Sequence, residues 1–259
     1  MDTPFPLDLA STAYSYIERP NRVIVSLMRE QVLGKMPGAR ILDVGCGCGA
    51  NARAFHELSS AVHVTGVEPN PRAAELARSA CDEVFQGMLD AWLAQPSKAS
   101  FDAVVLSDVL EHVADPIQFM RSLTRAPSVQ GATWIISVPN YGVWYNRMRT
   151  LFGRFEYAWS GLYDRTHLRF YTRSSIQKLL GYCGLEVVTD RCTPSMVQST
   201  APLLRKFFKD DVQSGNHLAL TENRGYQLYE KLIEPVETTV CQIWPELLGF
   251  QIVSVARAR

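Results

Sequence analysis

The stretch Arg40-Ile-Leu-Asp-Val-Gly-Cys-Gly-Cys-Gly-Ala50 decides how the rest of the chain is read. Arg40 to Asp43 has the apolar character of a short buried strand. Gly45, Gly47 and Gly49 then alternate with Cys46 and Cys48. Glycine carries no Cβ, so the chain can turn sharply there and leave its N–H groups bare. Ala50 to Leu58 has helical character. The glycine turn therefore lies where a strand ends and a helix begins, the place where open α/β sheets hold a ligand.

The spacing admits two ligands. Gly45, Gly47 and Ala50 satisfy the dinucleotide pattern G-x-G-x-x-G/A, and Glu68 stands about 20 residues on, where a ribose-binding acid belongs. On those residues NAD and an oxidoreductase stay open. Asp43 points elsewhere, because a carboxylate two residues before the first glycine repels a diphosphate and tolerates a cation. Gly49 and acidic positions at later strand ends point the same way.

Asp43-Val-Gly-Cys-Gly-Cys-Gly49 resembles motif I of the class I S-adenosylmethionine (SAM) methyltransferases. Val67-Glu-Pro-Asn-Pro71, the run Phe101 to Pro116, Ser137-Val-Pro-Asn140 and Asp164 to Thr172 are similar to a bacterial branch acting on small metabolites, quinone precursors and glycans. The resemblance implies an α/β Rossmann-like fold: a doubly wound seven-stranded sheet, mostly parallel, with an antiparallel last strand and helices on both faces. It implies SAM as cofactor, held by Asp43, Gly45, Cys46, Gly47, Gly49, Glu68, Pro69, Leu89, Asp90, Ser107 and Asp108. Within that set Glu68 would take the ribose diol, Asp90 the adenine amine and Leu89 the adenine face.

Composition sets the outer bounds. The 259 residues suit one domain with a lid. Lys+Arg and Asp+Glu are 26 each, which argues against a nucleic-acid partner, since phosphate backbones call for excess basic charge. None of the six cysteines has paired metal spacing; Cys46-x-Cys48 is not a zinc C-x-x-C. Free thiols and an N-terminus without a basic start or apolar run suggest the cytoplasm. No apolar run is long enough to insert in a membrane.

Asn21 is placed to cap a helix from Arg22 to Leu33. Asn70 with Pro71, Asp115 with Pro116, and Thr172 open later helices, the second ending at Thr124 and the third at Cys183. Further strands are expected at 61–68, 84–87, 101–106, 133–138, 185–188 and 249–256. The resemblance suggests that residues 1–37, with Tyr14 and Tyr16, cover the cofactor; plain packing onto the sheet is an equal alternative. The methyltransferase core then spans about 38–192 and 249–259. Tyr141 to Phe170 is rich in aromatic residues and arginines and leaves the end of a central strand, as a lid over an acceptor pocket would. The segment 193–248 is far longer than a hairpin loop and is either a second cap or a homodimer surface.

Three residues are candidates for acceptor chemistry. His167 could take a proton from a hydroxyl, with Asp164 orienting it, or both could brace the lid. His112 could be a base, packing, or a metal ligand beside Glu111. No metal is assigned, because no further carboxylate before Glu111 completes a ligand set at helical spacing. The expected activity is SAM-dependent methyl transfer to a small-molecule acceptor, oxygen preferred over nitrogen. A SAM-binding partner subunit without catalysis is the remaining alternative.

Overall fold

The computed structural model describes residues 19–96, 99–158, 161–194 and 234–259. Seven strands form one sheet in the order β3-β2-β1-β4-β5-β7-β6. They are β1 (Arg40–Val44), β2 (His63–Glu68), β3 (Glu83–Gln86), β4 (Ala103–Ser107), β5 (Thr133–Pro139), β6 (Leu185–Pro194) and β7 (Gly249–Ala258). β1 pairs parallel with β2 and β4, and β4 with β5. β7 runs antiparallel between β5 and β6. The strand order reverses between β1 and β4, so a crevice opens past their C-terminal ends.

Period-two alternation gives the sheet two buried faces. Leu42, Val44, Val104, Leu106, Trp134 and Ile136 point to one face, where α5 (Pro116–Thr124) and α7 (Arg173–Tyr182) contribute Met120, Leu123, Ile176 and Leu180. Ile41, Val64, Val105, Ile135 and Val253 point to the other, under α1 (Arg22–Met28) and α2 (Ala50–Leu58), with Ile24, Leu27 and the fully buried Phe55. Truncating Phe55 to Ala would remove about 3–5 kcal/mol of stability.

The expected helix starts are all present. Asn21 Oδ1 accepts from Val23 N and Ile24 N, and Asn70 Oδ1 from Arg72 N and Ala73 N ahead of α3 (Pro71–Ala77). Asp115 caps α5, and Thr172 with Ser175 forms a capping box on α7. Helix ends were less legible. The α-helix from Asn21 stops at Met28 and widens into a π turn over Arg29–Leu33. β6 runs six residues past its expected end at Val188, carried by its pairing with β7 and bulged at two places.

Between β3 and β4 lies α4 (Leu89–Leu93). Within the lid is a helix that the aromatic spacing did not announce, α6 (Trp144–Leu151). Of the 193–248 segment, the described part holds α8 (Glu234–Ile243) and α9 (Pro245–Leu248). Tyr14, Tyr16, Trp159, Leu203–Phe208 and 226–233 lie outside the described residues.

Candidate functional site

Everything converges on the C-terminal ends of β1, β2, β4 and β5. Gly45 (φ 74°) and Gly49 (φ 78°) hold left-handed backbone. A Cβ on Gly45 would lie 2.6 Å from Val109 Cγ2, and one on Gly49 2.7 Å from Ala80 Cβ. The turn thus needs glycine twice, for its dihedrals and for close approach.

The bare amides expected of this turn are not found. Gly45 N and Cys46 N both donate to Val67 O, at 2.7 and 3.3 Å, and Gly49 N donates to Cys46 O at 3.0 Å. Gly47 N donates to Glu68 Oε2 at 2.9 Å. A diphosphate is cradled by free N–H groups, and these four are occupied. The other oxygen of Glu68 accepts from Asn70 N at 2.8 Å. Glu68 is buried at the end of β2, and its carboxylate is held still by backbone on both sides. Pro69 follows it, half-buried. The cysteines of the turn face inward. Gly66 leaves room for Cys46 Sγ, which a Cβ there would meet at 2.6 Å, so Cys46 offers the crevice only its main chain.

Asp43 is fully buried, and neither carboxylate oxygen has a hydrogen-bond partner among the described residues. Burial, and then the charge of Glu68, pushes its pKa up to about 7. An unpaired buried carboxyl is expensive unless a cation or donor reaches it.

Asp108 follows β4, whose last residue, Ser107, is half-buried. At φ 54° Asp108 is left-handed without being glycine. It is held there by Ser137 Oγ at 3.0 Å and Gln251 Nε2 at 2.5 Å. Burial raises its pKa to about 6 against those two hydrogen bonds. Gln251 Oε1 accepts from Asn21 Nδ2 at 3.1 Å, and Asn21 N donates to Asn51 Oδ1 at 3.0 Å. This polar chain from α2 to β4 joins residues from four separate stretches, and no local motif announced it.

The adenine side departs from expectation in one respect. Asp90 is exposed in the first turn of α4. Leu89, expected to cover the adenine face, is only 5% exposed and packs in the core with Trp92. Its neighbour Met88 is 65% exposed, so Met88 is the apolar side chain this loop offers outward.

On the acceptor side, the lid leaves β5 at Asn140 and returns at Tyr171, where Tyr141 N donates to Tyr171 O at 2.6 Å. Its return strap lies on the turn after β4, with Leu168 N and Arg169 N both donating to Glu111 O at 2.7 and 3.0 Å. His112 and His167 meet edge to face, ring centroids 4.9 Å apart. Each places Nδ1 3.2 Å from a carbonyl, Thr166 O for His112 and Leu162 O for His167. A carbonyl only accepts, so both Nδ1 atoms carry the proton and both Nε2 atoms carry lone pairs. Burial lowers both pKa values, that of His112 to about 4, so both rings are neutral at pH 7.

Asp164 does not orient His167 by a hydrogen bond. Its Oδ1 accepts from Thr166 N and Thr166 Oγ1 at 2.9 and 2.7 Å, closing the turn that carries the histidine. The orienting acceptor is the Leu162 carbonyl, which sequence spacing could not reveal. Glu111 is buried, with both carboxylate oxygens unpartnered among the described residues. Burial, then the charge of Asp108, pushes its pKa well above the usual carboxylate range. Ligand atoms of Glu111, His112 and His167 lie within 4.8 Å of one another. Of the three, only His167 comes from the lid, from a distance in the chain that helical spacing around Glu111 does not reach.

Around these groups Tyr141, Phe155, Tyr163 and Phe170 form a ring cluster, with centroid separations from 4.9 to 6.3 Å. The Arg149 guanidinium lies 4.9 Å from the Tyr163 centroid. Asn140, also missed from sequence, is fully buried. Its Nδ2 donates to the carbonyls of Glu246 and Gly249 at 3.0 and 2.8 Å, and its Oδ1 accepts from Gly142 N. It thereby ties α9 to the root of the lid. No helix of the described residues is long and apolar enough to cross a membrane.

A family model described as a methyltransferase domain matches residues 16–190. Among curated proteins, the ubiquinone biosynthesis O-methyltransferase of Xanthomonas campestris pv. campestris is 37% identical over 94 residues, 34% of this chain and 38% of that protein. Its namesake from Methylocella silvestris is 37% identical over 90 residues, 33% of this chain and 34% of that protein. The chain thus spans little more than a third of the length of these curated relatives. Among solved structures, a SAM-dependent methyltransferase from Archaeoglobus fulgidus superposes with a TM-score of 0.53 at 19% identity, covering 92% of this chain and 94% of that one. The [4+2]-cyclase SpnF gives 0.55 at 18% identity, covering 96% and 89%. At such identities these two likenesses establish the fold alone, and the two proteins are named for different chemistries on it.

Proposed function

The chain belongs to the methyltransferase-domain family, the class I SAM-dependent methyltransferases, and from that premise we propose that it methylates a hydroxyl oxygen of a small aromatic acceptor seated beneath the 141–170 lid. One observation carries the choice of oxygen: neutral His167, its Nδ1 tethered to the Leu162 carbonyl and its ring edge-to-face with neutral His112 beside the crevice. A hydroxyl must lose a proton as it attacks the methyl group, and a neutral imidazole accepts one. The aromatic cluster supports a ring-shaped acceptor. The O-methyltransferase activity named for the Xanthomonas and Methylocella relatives agrees with it.

SAM supplies an activated sulfonium methyl, so placement and exclusion of water provide most of the acceleration. In this reading Glu68 accepts both ribose hydroxyls, its position fixed by Gly47 N and Asn70 N. Asp43 lies under the methionyl end and meets the ligand's positive charge. Gly45, Gly47 and Gly49 let the backbone approach, Asp90 accepts from the adenine amine, and Met88 takes over the apolar cover expected of Leu89. His167 takes the acceptor proton on Nε2.

A second reading rests on the cluster of Glu111, His112 and His167. Two neutral imidazoles with Nδ1 tied to carbonyls, beside an unpartnered carboxylate, suit a divalent cation. Those three residues would hold it, and it would supply Lewis-acid activation of the acceptor oxygen.

Methyl-labelled SAM incubated with catechols, monophenols and matched anilines tests the main reading. Label in the phenolic products is expected. Label only in the anilines overturns oxygen transfer, and no label in any product favours the SAM-binding partner subunit. Loss of turnover on chelation, with recovery on adding Mg²⁺ or Zn²⁺, selects the second reading.

A further inference from the structure

Cys192 on β6 and Cys241 on α8 are 49 positions apart in the chain, yet their sulfurs lie 3.0 Å apart. Both are buried, at 0% and 3% exposure. A disulfide needs about 2.05 Å between sulfurs, so only a small closing movement separates these thiols from a bond.

The contact is clamped by the surrounding chain. Gln242, next to Cys241, grips the main chain of Cys192 from both sides: its Oε1 accepts from Cys192 N at 3.3 Å and its Nε2 donates to Cys192 O at 2.9 Å. Beneath them Gly249 makes the space, since a Cβ there would fall 2.5 Å from Cys192 Cβ and 3.0 Å from its sulfur. No methyl-transfer role above uses either thiol.

We propose that Cys192 and Cys241 are a reversible dithiol–disulfide site that staples α8 to the β6–β7 hairpin when the protein meets hydrogen peroxide. Cys241 is the attacking sulfur. Hydrogen bonding from Cys192 lowers its pKa, and the same contact raises that of Cys192. The Cys241 thiolate attacks one peroxide oxygen. An S–O bond forms, the O–O bond breaks, and the departing hydroxide takes a proton to leave as water. Cys192, losing its proton, then attacks the Cys241 sulfur. The S–S bond forms, the S–O bond breaks, and a second water leaves. The two thiols give up two electrons and the peroxide accepts them.

The effect would reach the lid. Cys241 lies near the end of α8, and α9 follows it directly, its carbonyls held by Asn140 at the lid root. Cross-linking α8 to the sheet therefore stiffens the support on which Asn140 and Gly142 rest.

The test uses the full chain treated with hydrogen peroxide, and in parallel with diamide, then digested without reduction and mapped by mass spectrometry. A linked Cys192–Cys241 peptide pair is expected, two hydrogens lighter than the reduced pair. It should disappear on adding dithiothreitol and be missing in Cys192→Ser and in Cys241→Ala. Closing a loop of this length should raise Tm by about 5–10 °C in the oxidised wild type, with neither variant responding. Free thiols at both positions after both reagents overturn the proposal. So does a cross-link between Cys46 and Cys81, whose sulfurs both lie beside Gly66, in their place, or sulfinic acid on Cys241 with Cys192 still reduced.

Discussion

The two halves of the crevice are built in opposite ways. On the cofactor side, 29 residues of continuous sequence, from Arg40 to Glu68, supply the strand, the glycine turn, the helix and the acid at the end of β2. Glu68 is held there by main chain, by Gly47 N and Asn70 N. On the acceptor side, Glu111 and His112 come from the turn after β4, and His167 from a lid strap 55 residues further along. There the imidazoles hang from carbonyls of the lid itself, and the buried Glu111 carboxyl, like Asp43 on the other side, has no hydrogen-bond partner among the described residues. A common cofactor requires the first half to be a fixed local unit; a particular acceptor is met by a long-range assembly that loops can rebuild.

The sharpest way to break this contrast is His167→Gln. If the acceptor half carries the proton transfer and the cofactor half only binds, turnover should fall by about 10²–10⁴. SAM affinity by calorimetry should stay within about threefold. A parallel loss of both, with a lowered Tm, would make His167 a brace between lid and sheet. His112→Gln divides the two readings of the acceptor side. Turnover that no longer responds to Mg²⁺ or Zn²⁺ supports the cation, whereas a modest loss with no metal dependence in wild type leaves His167 as a simple base.

Glu68→Ala probes the other half and should do the reverse. Losing two charge-assisted hydrogen bonds to the ribose raises the SAM dissociation constant about 100-fold, with kcat at saturating SAM less affected. Affinity unchanged in calorimetry would take the ribose away from this residue. Glu68→Gln keeps the shape, can still accept from one N–H, and should lie between.

The same contrast accounts for what the sequence could and could not disclose. Helix starts were legible because Asn21, Asn70, Asp115 and Thr172 act on N–H groups two or three residues away. The sheet was legible because its strands are apolar runs bounded by turn residues. β6 was read short because its second half alternates weakly, and its partner β7 lies about 60 residues on, a separation no window spans. For Asp164 the sequence left two roles open, orienting His167 or bracing the lid. The actual acceptor, a main-chain carbonyl at Leu162, carries no side-chain signature. That Leu89 packs inward while Met88 beside it is exposed was not legible, because a one-position difference in where α4 begins decides which of the two is buried. Asn140 was quoted within a motif, but its job, three carbonyls gathered from around Pro245 to Gly249, becomes visible only when β7 is laid beside β5.

A subtler difference between the halves lies in pH. In the empty protein Asp43 binds a proton up to about pH 7, well above an unfolded aspartate near 3.8. The folded state then holds more protons than the unfolded one between those values. Asp43's contribution to stability therefore declines as pH rises from about 4 to 7. A cationic ligand needs the ionised form, so SAM affinity should rise as pH increases through 7. If only ionised Asp43 binds well, the gain from pH 6 to pH 8 is about tenfold. Asp43→Asn should weaken binding and flatten the profile. A flat profile in the wild type would mean the ligand's charge is met elsewhere, with Asp108, whose pKa is raised to about 6, the next residue to replace.

The smallest effect concerns the link between the halves. Asn21 caps α1, touches Asn51 of α2 beside the glycine turn, and reaches Gln251, which holds Asp108 at the end of β4. Asn21→Ala removes the cap and the side-chain bond to Gln251 together. It should cost about 1–2 kcal/mol, a fall in Tm of about 2–8 °C for a chain of this size. SAM affinity should change by less than about threefold if the network is scaffolding, since Ser137 still holds the Asp108 carboxylate. A larger loss of affinity at unchanged Tm would mean that the left-handed backbone at Asp108 depends on this distant cap. The two halves would then be one mechanically coupled site, and the independence argued from their construction would fail.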